Sequence, residues 1–75
     1  MQQQGKEYLQ LIGNNIRKGR NKLNISQQVL ADNANIAKST VQRIEKGEMN
    51  PSILTLINIC LALEIDLAKI ISEKK

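Results

Sequence analysis

Histidine, tryptophan and phenylalanine are absent from this 75-residue sequence, and cysteine, proline and tyrosine each occur once. Each absence closes off a class of chemistry. Without histidine, and with Cys60 alone, a zinc site of imidazole and thiolate ligands has no donor set, and no cofactor is expected. A lone cysteine forms no intramolecular disulfide. Set inside an apolar run, Cys60 reads as a small core hydrophobe. No nucleophile pairs with a base and no glycine-rich loop stands ready to hold a phosphate, so an enzyme is not expected. With Tyr8 the sole aromatic side chain, the core must be aliphatic. The longest apolar stretch is interrupted by Asn58, Glu64 and Asp66 and is too short and polar to span a bilayer. The N-terminal Met-Gln-Gln-Gln-Gly lacks the apolar segment of a secretory signal. These readings predict a cytoplasmic chain with no membrane partner.

What is present is an uneven charge. Through residue 50 the basic side chains are Lys6, Arg17, Lys18, Arg20, Lys22, Lys38, Arg43 and Lys46, against Glu7, Asp32, Glu45 and Glu48. From residue 51 onward acids and bases balance, so the net charge of +4 lies wholly in the first two thirds. A basic part beside a neutral part predicts one face that meets a polyanion and another that packs or pairs.

Apolar spacing is helical throughout, and no run alternates with the period of a strand. The length suits one domain, residues 1–75, and a domain so short gains from burying surface against a second copy. The spacing predicts five helices, at about 6–22, 27–33, 38–46, 52–63 and 67–72, with frayed ends at 1–5 and 73–75. Leu9, Ile12 and Ile16 form the stripe of the first, and Gly13 and Gly19 within it shorten it or permit close packing. Ser26 suits the N-cap of the second, because its hydroxyl accepts an orphan backbone N–H. Val29, Leu30 and Ala31 are its core candidates. Asn35 tolerates the left-handed backbone that a tight turn needs. The third helix turns Val41 and Ile44 inward and stops at Gly47, a favoured left-handed terminus. Asn50-Pro51-Ser52 starts the fourth, since proline fits a first turn and Asn or Ser can cap it.

A helix, a short turn and a second helix with a polar, basic outer face form a DNA-reading unit. Helices fit the major groove, where each base pair shows a distinct donor and acceptor pattern. Lys38, Ser39, Gln42 and Arg43 put long hydrogen-bonding side chains near the start of the third helix. Arg and Lys suit guanine, and Gln suits adenine. Gln27, at the start of the second helix, is placed for a phosphate, to which that helix's N–H groups also point. Arg17, Lys18 and Lys22 either widen the phosphate footprint or keep the first helix solvated.

The stretch Ile25-Ser26-Gln27-Gln28-Val29-Leu30-Ala31, continued by Ile44-Glu45-Lys46-Gly47-Glu48-Met49-Asn50-Pro51-Ser52, resembles the phage Cro/repressor (XRE) helix-turn-helix family. The combined pattern is specific, and the likeness runs from about Ile12 to Ile71. It implies an all-α, five-helix, lambda-repressor-like fold that binds double-stranded operator DNA as a homodimer and regulates transcription. Gln27 resembles the family's phosphate-binding glutamine, and Lys38, Ser39 and Arg43 its main base-reading residues, with Gln42 secondary. Lys46 and Asn50 fall where backbone contacts are usual. Arg20 and Glu45 match a pair that in some members forms a partly buried salt bridge. The chain departs from the pattern at Asn35, where glycine is usual, at Ala37, where Ser or Thr caps the recognition helix, and at Glu64, which replaces a common glycine.

On the fourth helix Ile53, Leu56, Ile59, Cys60 and Leu63 are expected to form the core face. Leu54 and Leu61, seven residues apart, then lie opposite, and with Ile71 they are the candidates for a homodimer interface. The competing function is that of an antitoxin or protein-interaction module that binds DNA only secondarily, because fold does not fix function. Such proteins often carry an added segment for their partner, and little here is spare beyond five helices and the short ends. The same economy leaves no expected small-molecule ligand.

Overall fold

In a computed structural model, which describes residues 2–72 and side chains from residue 5 onward, the chain forms five helices. They are α1 (Gln2–Leu23), α2 (Gln27–Ala34), α3 (Lys38–Glu45), α4 (Ile53–Leu63) and α5 (Leu67–Ile70). No strand occurs among the described residues. The all-helical class agrees with the sequence reading. The N-terminal boundary does not: residues 2–5, expected to fray, belong to α1. Glutamine is a good helix former and Gln2-Gln3-Gln4 contains no breaker, so the helix propagates back from its anchored part. Residue 1 and residues 73–75, also expected to fray, lie outside the described residues.

Four of the helices end by one device. Asn24, Asn35, Gly47 and Glu64 all take positive φ, at 61°, 60°, 74° and 60°. In each case the next residue's N–H reaches back five positions: Ile25 to Arg20 O, Ile36 to Ala31 O, Glu48 to Arg43 O and Ile65 to Cys60 O, at 2.9–3.2 Å. This is the Schellman closure, which satisfies carbonyls that a helix end leaves orphaned. Three of the four pair the left-handed residue with isoleucine, and Ile25, Ile36 and Ile65 all pack against the core. The residue after each isoleucine is the N-cap of the following helix: Ser26, Ala37 and Asp66. A three-residue unit thus ends one helix, inserts an apolar peg and starts the next.

Every helix contributes at least one side chain with essentially no solvent contact: Ile16 from α1, Leu30 from α2, Val41 and Ile44 from α3, Ile59 from α4 and Ile70 from α5. Each such burial is worth about 1.5–3 kcal/mol relative to exposure. α1 lies against α3, α4 and α5, while α2 packs on α3 and α4. Gly13 lets α1 approach α3, for a Cβ there would stand 2.7 Å from the Glu45 carbonyl oxygen. Asn15 of α1 donates from Nδ2 to the carbonyls of Ile70 (2.7 Å), Ser72 (3.1 Å) and Lys69 (3.3 Å). These carbonyls are satisfied from α1, and α5 ends at Ile70 instead of continuing to 72.

Two core expectations fail. Val29 is exposed, because the buried stripe of α2 is Leu30, Ala31 and Ala34, and Val29 stands about 100° to the wrong side of it. Ile53 is 57% exposed. It opens α4, and helical side chains lean toward the N-terminus, so it overhangs the first turn beyond the core.

Candidate nucleic-acid interface

Ser26 opens α2 by accepting the Val29 N–H at Oγ, 3.1 Å. Asn35 closes it at φ 60°, ψ 45°. Asn35, Ile36 and Ala37 then form the whole connection, and α3 begins at Lys38. Ala37 occupies the N-cap in extended conformation but, lacking a hydroxyl, makes no side-chain cap.

The two sides of α3 differ completely. Val41, Ile44 and Glu45 are buried, while Lys38, Ser39, Gln42, Arg43 and Lys46 are exposed. The exposed positions follow i, i+1, i+4, i+5, i+8 spacing and so share one face. Among the described residues, none of their side chains makes a hydrogen bond or ion pair within the chain. A row of donors with no internal partner is equipped for an external one. Lys46 follows the last turn of α3, and its carbonyl accepts from Gln10 Nε2 at 3.0 Å. That bond ties α1 to the α3–α4 connection. Asn50 is exposed in the same connection and borders a shallow groove with Lys6 and Tyr8 of α1.

Behind this face lies a polar cluster. Glu45 is 4% exposed. Arg20 Nε donates to Glu45 Oε2 at 2.7 Å, and Arg20 Nη2 donates to Oε1 at 3.1 Å. This is the fork-to-fork geometry in which Arg and carboxylate bind most strongly. Arg20 Nη1 also donates to the Ile25 carbonyl at 3.0 Å. Gln27 Nε2 donates to Glu45 Oε1 at 3.0 Å. Arg20 therefore joins α1, the α1–α2 connection and α3, and it is spent within the fold. Gln27, half-buried, is held by Glu45 with its second amide N–H left over. Of the other basic residues of α1, Arg17 bonds to Asn14 Oδ1 at 2.8 Å, and Lys18 and Lys22 stand in solvent.

The structure thus gathers Lys38, Ser39, Gln42, Arg43 and Lys46 on one face, puts Gln27 beside the end of α3, and leaves Asn50 near α1. Leu54 and Leu61 lie on α4, 68% and 72% exposed, and Ile71 is exposed after α5. Three positioning residues escaped the sequence reading. Gln10 and Asn15 act only through contacts with residues far along the chain. Asn24 carries a signal that was available, since Asn24-Ile25-Ser26 repeats the pattern of Asn35-Ile36-Ala37. No group of three or more potential metal ligands occurs among the described residues, and no helix there is long and apolar enough to cross a membrane.

Residues 16–70, from the middle of α1 to the end of α5, match the family model HTH_3, helix-turn-helix. The chain belongs to the HTH_3 helix-turn-helix family, the XRE class of DNA-binding regulators. Among curated proteins none matches. Solved structures similar to it include the restriction-modification controller protein C.AhdI from Aeromonas hydrophila. That chain is 27% identical with a TM-score of 0.80, over 83% of this chain and 94% of that one. An HTH_3 family transcriptional regulator from Vibrio cholerae is 26% identical with a TM-score of 0.83. The match covers 88% of this chain but only 37% of the Vibrio protein. The clp gene regulator ClgR from C. glutamicum, 21% identical with a TM-score of 0.79 over 84% of this chain and 82% of that one, shares the fold. The HTH_3 match begins at Ile16, so the first turns of α1, with Lys6 and Tyr8, lie ahead of it.

Proposed function

We propose that this HTH_3 protein is a sequence-specific regulator that docks α3 in the major groove of an operator and works as a homodimer. The observation that carries the reading is the exposed row of α3, whose hydrogen-bonding side chains make no bond within the chain. Lys38, Ser39 and Arg43 read base edges, Gln42 contributes beside them, and Gln27, Lys46 and Asn50 hold the phosphate backbone. The unsatisfied N–H groups at the start of α2 favour an anion beside Gln27. Similarity to a restriction-modification controller protein along nearly all of that protein's length supports a role in controlling transcription.

The homodimer reading rests on α4. Leu54 and Leu61 project away from the core, and Ile53 and Ile57, also exposed, extend the patch along the same helix. Charged residues are absent from α4 itself. An uncharged apolar strip of this kind, on so small a domain, fits a surface covered by a second copy. Ile71 is the candidate from the following segment.

Binding titrations with single variants test the division of labour. Arg43→Ala should lose about 1–3 kcal/mol on the cognate site and relax base preference at one position. Gln27→Ala should weaken all sequences alike. Lys46→Ala should lower the slope of log K against log salt by about 0.9, the release of one counterion. An Arg43→Ala curve that overlays wild type on a selected operator would remove base reading by α3.

A further inference from the structure

Gln27, Glu45 and Arg20 form a chain of contacts that no simple ion pair requires. Two residues would complete a buried salt bridge, yet the carboxylate of Glu45 accepts a third donor, the Gln27 amide, at 3.0 Å. The carboxylate is buried at the end of α3, fixed from behind by two bonds from Arg20, and cannot turn away. It also only accepts hydrogen bonds. The amide of Gln27 must therefore present its nitrogen, and the flipped arrangement, with Oε1 against Oε1, is repulsive. An unconstrained glutamine amide offers either its oxygen or its nitrogen to whatever approaches, and a phosphate rewards only the nitrogen.

We infer that Glu45 is a positioning residue for DNA binding: it fixes the Gln27 amide nitrogen in place, with one N–H on Glu45 and the other uncommitted and available to a backbone phosphate, while Arg20 holds Glu45. The lock spends one of the two N–H bonds of Nε2 and leaves the other for the phosphate. It removes side-chain freedom before binding, so less is lost when DNA arrives. It also explains how one buried pair serves two ends, joining α1 to α3 and setting the contact at the start of α2. The inference rests on the phosphate role proposed for Gln27.

A double-mutant cycle on DNA affinity separates this role from a structural one. In the wild-type background Gln27→Ala should weaken binding about tenfold, the loss of one hydrogen bond to a charged group. In a Glu45→Gln background, whose side chain can present either an oxygen or a nitrogen to residue 27, the same change should cost less than about threefold. Equal penalties in both backgrounds would overturn the positioning role and leave the phosphate contact standing. No penalty in wild type would overturn the phosphate contact, and the inference with it. Should Glu45→Gln fail to fold, the side-chain amide of Gln27 decides in the DNA-free wild-type protein by NMR. Restricted motion and slowed hydrogen exchange relative to exposed Gln42, whose amide makes no bond within the chain, support the lock. Equal mobility of the two contradicts it.

Discussion

Gly13→Ala separates two effects of opposite sign at one position. Within a helix, alanine is favoured over glycine by about 1 kcal/mol. Gly13, however, is buried where α1 crosses the end of α3, and the added methyl would meet the carbonyl oxygens of Ile44 and Glu45, 2.7 Å from the latter. Ordinary contact there begins at 3.4 Å and the Ile44 oxygen stands closer still, so the helices must part by more than about 0.7 Å. Both obstructing atoms are backbone and cannot rotate aside. Overpacking of this kind costs about 1–3 kcal/mol. The shift also pulls Glu45 away from Arg20, a pair whose disruption is expensive because it leaves a buried charge. The net expectation is destabilisation by about 2 kcal/mol despite the better propensity. Gly5→Ala, in the same helix with nothing within 4 Å of its Cβ, isolates the propensity term and should be neutral or slightly stabilising. Urea unfolding followed by circular dichroism reads both. With a slope of about 1–2 kcal/mol/M, Gly13→Ala should lower the midpoint by about 1–2 M. If Gly13→Ala stabilises as much as Gly5→Ala, the close crossing of α1 and α3 is wrong.

Ala37→Ser should stabilise the domain by about 1 kcal/mol, since the residue already has the extended N-cap conformation and lacks only the oxygen. Thermal melting should show a rise of about 4–8 °C, and an unchanged Tm would mean the cap is not formed. Burial, and secondarily the Asp66 carboxylate, push the Cys60 thiol above its ordinary range. A folded pKa above the unfolded one gives stability that is complete below about pH 8.5 and is lost as pH rises through the folded value. Urea melts from pH 7 to 10 should therefore fall more steeply in wild type than in Cys60→Val, and parallel declines would refute the burial effect. Replacing Leu54 and Leu61 together with Lys should convert the proposed dimer to monomer in sedimentation at micromolar concentration, whereas an unchanged oligomeric state would discard the α4 interface.

Local chemistry made much of the fold legible. Ser26 and Ser52 announce helix starts because a hydroxyl suits an orphan N–H, and both cap in that way. Asn35 and Gly47 announce ends because few residues tolerate positive φ. Periodicity located Val41 and Ile44, both buried, since inward residues of a short helix recur at fixed angles. The failures lie where a face has an edge. Val29 and Ile53 are apolar and next to core residues in sequence, yet the helix turns one away from the core and carries the other past its end. Gln10 and Asn15 were illegible for a different reason. Each acts by donating to carbonyls of a helix end 36 to 57 residues distant, and nothing in a local pattern encodes that meeting. The Arg20–Glu45 match came from the family resemblance; the attachment of Gln27 to it came only from the three-dimensional arrangement.

Selection of bound sequences from random duplex DNA asks whether the exposed face of α3 reads bases. The protein would be incubated with the library at physiological salt and excess competitor DNA. Base reading by a dimer requires an inverted repeat whose half-sites lie about one helical turn apart, one for each α3. Recovery of no motif, with only weak binding that salt abolishes, would mean that Lys38, Ser39, Gln42 and Arg43 supply charge without readout, and would contradict it.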